Sequence, residues 1–115
     1  MRFSDPKKAL DWVGGDTEFF KELVATFLND EMPKYIKGIE TAIQAKDPRL
    51  LRENAHGLKG GLGNFFAAPA MEAALELELM GRSGDLTGAE GASAALKTRI
   101  EEMSQELMSF LKTLS

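Results

Sequence analysis

The sequence predicts an all-α fold, and three observations carry that prediction. Apolar residues recur at helical spacing over long stretches: Leu51, Ala55, Leu58, Leu62 and Phe65 are four, three, four and three apart, and Leu96, Ile100, Met103, Leu107, Phe110 and Leu114 continue the same alternation. Between such stretches stand prolines and glycines at the places where helices start and stop. No segment shows the period-two alternation of a half-buried strand.

Taken in order, Ser4-Asp5-Pro6 reads as a helix start, with an acidic cap and proline in the first turn, for a short helix over about residues 5–13 that Gly14-Gly15 ends. Asp16 can cap a second helix whose stripe is Phe20, Leu23, Val24, Phe27 and Leu28. Pro33 predicts a break or kink near Glu31-Met32, after which Ile36, Ile39 and Ile43 mark a third helix. Asp47-Pro48 starts a fourth, interrupted at Ala68-Pro69, and a fifth runs to about Arg82, where Ser83-Gly84 is a stop. Asp85, or a capping box of Thr87 and Glu90, would open the last helix. Short connections between long amphipathic helices force antiparallel neighbours. The expected architecture is an antiparallel up-and-down four-helix bundle over residues 33–46, 48–67, 69–82 and 86–113, with additional N-terminal helices capping it or lying against it.

The bulk numbers bound what such a bundle can do. A chain of 115 residues is expected to form one domain with a single core, residues 1–115, with the bundle itself over about 33–113. The net charge of −4 argues against a nucleic-acid binder that needs a broad basic face. With no cysteine, disulfides and thiolate metal sites are impossible. No apolar run approaches the roughly 18 residues of a membrane span. No apolar core of a signal peptide follows Met1-Arg2-Phe3-Ser4-Asp5, so a cytoplasmic location is expected. A monomer is expected, although the seam of the last helix can also support a dimer.

The stretch from Ala55 to Asn64 carries the chemistry. It holds the only histidine, His56, and four glycines inside a helical pattern: Gly57, Gly60, Gly61 and Gly63. Each interior glycine costs a helix about 1 kcal/mol relative to alanine, so their presence points to close approach by something. At about 100° per residue, His56 lies roughly 140° from the buried stripe, with Arg49, Arg52, Gly60 and Gly63 on its side and Lys59 leaning between that side and the core. An exposed imidazole with small residues beside it and cations around it suits a rigid partner that brings a reactive group close. On the next helix Glu78 falls inside an apolar arc, among Met71, Ala74, Leu75 and Leu77, at nearly the height of His56. A carboxylate there needs a partner, which can be the His56 ring or else Arg52 or Lys59.

The run His56-x-x-Lys59-Gly60, with Gly63-Asn64 after it and Leu77-Glu78 further on, resembles the histidine phosphotransfer (HPt) domain of bacterial multi-step phosphorelays. Gly14-Gly15-Asp16, Asp47 and Gly84-Asp85-Leu86 resemble the family too, and the likeness covers nearly the whole chain from about Leu10. The resemblance implies that His56 is the nucleophile, taking a phosphoryl group from a receiver-domain aspartate and giving it to another. Lys59 would neutralise phosphoryl charge, Glu78 would orient the ring, and Arg52, Gly60, Gly63, Asn64 and Phe66 would meet the partner. No cofactor is expected on this chain; the magnesium ion would sit in the partner receiver's aspartate cluster, and no Walker-type ATP motif is present. Gly61 stands where the family often has serine or alanine, which predicts a softer helix. Phe66 stands where it often has glycine, and belongs to the docking patch if it reaches the surface or to the core if it does not. A non-catalytic helical adaptor is the alternative function. A metal-dependent hydrolase is poorly supported, because one histidine leaves only carboxylates as further ligands.

Overall fold

The computed structural model describes residues 2–114. Its helices are α1 (Pro6–Trp12), α2 (Thr17–Thr26), α3 (Met32–Ala45), α4 (Pro48–Gly63), α5 (Ala68–Ser83) and α6 (Ala89–Thr113), with a π turn over Phe27–Glu31; there is no strand among the described residues. The start signals at Asp5, Asp16 and Asp47 act as read: each carboxylate accepts a backbone N–H three residues on, at 3.0, 3.0 and 3.1 Å.

The break or kink expected at Pro33 takes the form of a widened turn. Thr26, Phe27, Glu31 and Met32 all keep right-handed helical backbone, so α2 and α3 join through one widened turn into a single long first helix of the bundle. Proline lacks an N–H, and its ring opposes the carbonyl four residues back. The π turn just before Pro33, with Met32 N–H bonded to Phe27 O, opens the helix there instead of ending it. Only α1 remains a separate N-terminal cap. The segment before it is tied to α6, because the Glu106 carboxylate accepts the N–H groups of Arg2 and Phe3 and the Ser4 hydroxyl, at 2.8–3.1 Å.

Two boundaries differ from the sequence reading. The fourth helix ends at Gly63 rather than near residue 67. Its last carbonyls are closed by Ala67 N–H onto Leu62 O and Phe66 N–H onto Gly63 O, with Phe66 in the left-handed region at φ +53°. This is the helix end that glycine favours. Lys46, also at φ +53°, closes α3 in the same way, and Gly14 closes α1. The last helix begins at Ala89, behind Gly88 at φ +83°, and neither Asp85 nor Thr87 caps it. Asp85 is committed to the turn before, where its carboxylate accepts Thr87 N–H at 3.0 Å.

Every residue of the predicted α4 stripe is buried, as are Leu96, Ile100, Met103 and Leu107 of the α6 seam. An aromatic cluster closes the bundle where α4 ends: Phe65 lies 6.3 Å from Phe20 and 5.3 Å from Phe27, and Phe20 lies 6.0 Å from Phe110. Glycines set the helix spacings. A Cβ on Gly81 of α5 would stand 2.7 Å from both Arg52 N and Pro48 O of α4, so α5 meets the backbone of α4 there. On α4, Gly57 receives the Tyr35 ring and Gly61 the Phe27 ring, each 2.5 Å from where a Cβ would be. Gly61 is therefore the seat of a core aromatic.

This division gives opposite expectations for two glycines. Gly81→Ala forces backbone apart and should cost about 1–3 kcal/mol. Gly60→Ala has nothing within 4 Å of the added carbon and should stabilise by up to about 1 kcal/mol. Urea denaturation of the two variants measures both.

Candidate functional site

His56 sits in the middle of α4 on the face turned from the core, its side chain 67% exposed. Opposite it, α5 presents Glu78, whose side chain is 1% exposed. The two meet: His56 Nδ1 is 3.3 Å from Glu78 Oε2. That contact favours the tautomer with the proton on Nδ1, where it donates to the carboxylate, and leaves the Nε2 lone pair unencumbered.

Glu78 gathers two cations as well. Arg82, one turn along α5, donates from Nη2 to the same Oε2 at 2.9 Å. Lys59 Nζ stands 2.7 Å from the other oxygen, Oε1. Lys59 approaches at ion-pair distance but off the direction of an ordinary hydrogen bond, so Oε1 has a charge partner and no well-aligned donor. The Lys59 ammonium is the main cause holding the Glu78 carboxyl below its usual 4.5; burial pushes the other way, and the His56 ring and the Arg82 guanidinium add to the lowering. Glu78 is thus an anion at neutral pH despite its burial.

The sequence left open whether Glu78 meets the ring, Arg52 or Lys59. The structure joins it to the ring and to Lys59, while Arg52 makes no ion pair among the described residues. Arg52 instead lines, with Glu53, His56, Glu78 and Arg82, an open depression of about 210 Å³. Arg82 is the member that sequence reading missed; its signal was the four-residue spacing from Glu78 along one helix.

Gly60 is exposed one turn beyond His56 with open space above it, and Gly63 meets only the Met71 methyl at 3.5 Å. Asn64 is exposed at the helix end. Phe66 departs from the expected fourth helix over 48–67, because it lies past the end of α4. It is half-buried in the left-handed turn, with Lys8 Nζ 4.7 Å from its ring centroid. Among the described residues no three metal-ligating side chains converge, and no helix is long and apolar enough to cross a membrane.

A family model described as "Hpt domain" matches residues 22–106, most of the bundle and both sides of the His56–Glu78 contact. The chain belongs to the Hpt-domain family. Its members are histidine phosphotransfer proteins that work with receiver domains in two-component phosphorelays. Among solved structures, this Hpt chain is similar to histidine-containing phosphotransfer protein B (HptB) from Pseudomonas aeruginosa PAO1, with a TM-score of 0.86 at 22% identity over 96% of each chain. At that identity the likeness shows a shared fold. A search of curated proteins found no match.

The Glu78 cluster makes stability depend on pH in one direction. The native carboxyl titrates below 4.5, so the unfolded chain takes up this proton first as pH falls. The cluster's contribution is complete above about pH 4.5 and is lost as pH drops through the lower native value. Thermal melts from pH 7 to pH 3 should show a smaller loss of stability for Glu78→Gln than for the wild type.

Proposed function

We propose that this chain relays a phosphoryl group between receiver-domain aspartates through Nε2 of His56. The observation that supports it most is an exposed imidazole whose inner nitrogen faces a buried carboxylate. As Nε2 forms its bond to phosphorus, the P–O bond to the donor aspartate breaks and its electron pair leaves with that carboxylate. The Nδ1 proton stays in place. The ring acquires positive charge, and Glu78, ionised and immobile, meets it without reorganising. Reversing the step on a second receiver hands the group on.

The surroundings suit a visitor. Gly60 offers bare backbone one turn from the ring, so an in-line approach meets no side chain there. Lys59 and Arg82 outnumber the single Glu78 charge and give the site a positive field for a transferring group that develops negative charge on its equatorial oxygens. The magnesium ion of such a reaction belongs to the receiver's own acidic cluster.

Incubation with a panel of phosphorylated receivers tests this. The wild type should acquire an acid-labile, base-stable adduct that mass spectrometry maps to His56, and His56→Gln should fall to background. Transfer to His56→Gln at the wild-type rate would remove the proposal. Receiver binding with no adduct on the wild type would favour the adaptor reading.

A further inference from the structure

The two cations around Glu78 are not equivalent. Oε1 has Lys59 as its one partner among the described residues, whereas Oε2 has both His56 Nδ1 and Arg82 Nη2. If Lys59 left, a buried oxygen would lose its only counter-charge. If Arg82 left, Oε2 would keep the imidazole proton. The side chains differ in freedom as well: Lys59 is 26% exposed and Arg82 59%. Position separates them further, since Arg82 lines the depression beside His56 and Lys59 does not.

Resting on the reading of His56 as phosphoryl carrier, we propose that Arg82 is the side chain that binds the phosphoryl group on His56, moving to it from Glu78, while Lys59 stays on Glu78 as a positioning residue. This reverses the role that the family resemblance gives Lys59. Arg82 Nη2 and His56 Nδ1 approach one oxygen at 2.9 and 3.3 Å, so they lie within about 6 Å of each other, with Nε2 one ring width beyond. A guanidinium on a long, exposed stem spans that gap by rotating about its side-chain bonds, and its planar fork matches two phosphoryl oxygens.

Charge favours the exchange. Lys59 and Arg82 against Glu78 leave one positive charge in excess before any phosphate arrives. The phosphoryl group brings close to two negative charges and three strong acceptor oxygens, and so competes with Glu78 for the more mobile cation. Arg52 lines the same depression and adds to the field, but it is not bonded to the oxygen that holds the ring. Glu53 faces the depression too, yet it is engaged by Arg49 at 3.0 Å.

Potassium phosphoramidate supplies a test that needs no partner. Nε2 attacks phosphorus, the P–N bond breaks, and ammonia leaves. Phosphorus NMR then follows both the rate of adduct formation and the pH at which the bound phosphoryl group takes up its last proton. Arg82→Ala should form the adduct at least about tenfold more slowly. It should also move the phosphoryl titration upward by about half a unit or more, and Arg82→Lys should recover part of that shift. Lys59→Met should leave the phosphoryl titration near the wild-type midpoint. A midpoint that moves as far in Lys59→Met as in Arg82→Ala, or that moves in neither, overturns the assignment to Arg82. No adduct on the wild-type chain overturns this assignment together with the carrier role of His56. An adduct on His56 with the wrong cation response overturns the assignment alone.

Discussion

The site depends on one buried negative charge. Glu78 is removed from solvent, and a carboxylate there would take up a proton unless cations held it ionised. Lys59 and Arg82 do so from opposite oxygens, and the His56 ring fills the remaining direction. Glu78 is buried while its cations are partly exposed, so the cost of losing one falls mainly on the carboxylate left behind. The cluster therefore holds its own geometry, and with it the orientation of an imidazole that would otherwise turn freely at a surface. Stability and the setting of the ring share a single carboxylate.

Around this centre the glycines of α4 do two kinds of work. Gly57 and Gly61 face inward and admit the rings of Tyr35 and Phe27, bringing α3 and the π turn close. Gly60 faces outward with nothing over it. A helix with so many interior glycines is intrinsically weak, by about 1 kcal/mol for each. Burial of Leu51, Leu58, Leu62 and Phe65 offsets that weakness. The outward glycine keeps the approach to the histidine clear, and the inward pair let α4 be gripped firmly from behind.

Much of this was legible in the sequence because it follows from periodicity and local capping. The α4 stripe, the exposure of His56, the burial of Glu78 and the caps at Asp5, Asp16 and Asp47 all depend on spacing along one or two helices. What was not legible depended on how the backbone responds in three dimensions. Pro33 signals trouble in a helix but does not say whether the helix breaks or widens; here it widens, and Phe27 at the head of the widened turn packs on Gly61 and Phe65. Phe66 looked like a continuation of helical periodicity. It is instead a left-handed cap, where a bulky residue costs about 1–2 kcal/mol and glycine would cost nothing sterically. Arg82 marked only the end of a helix in the sequence, and nothing local revealed that its partner oxygen also holds the histidine. Lys59 was one of three partners the sequence offered Glu78, and the choice among them shows only once α4 and α5 are docked.

The contact at Gly81 carries a consequence for how the molecule tolerates change. Most helix pairs rest on side chains that can flex by an ångström or more, so one helix can creep along its neighbour. Here main chain abuts main chain, and α5 is keyed to α4 like a tooth in a rack. One residue of slippage would carry Glu78 about 1.5 Å along the axis, enough to part it from the ring. The spacing of histidine and carboxylate is thus gauged three residues away from the carboxylate, at a position that touches neither of them.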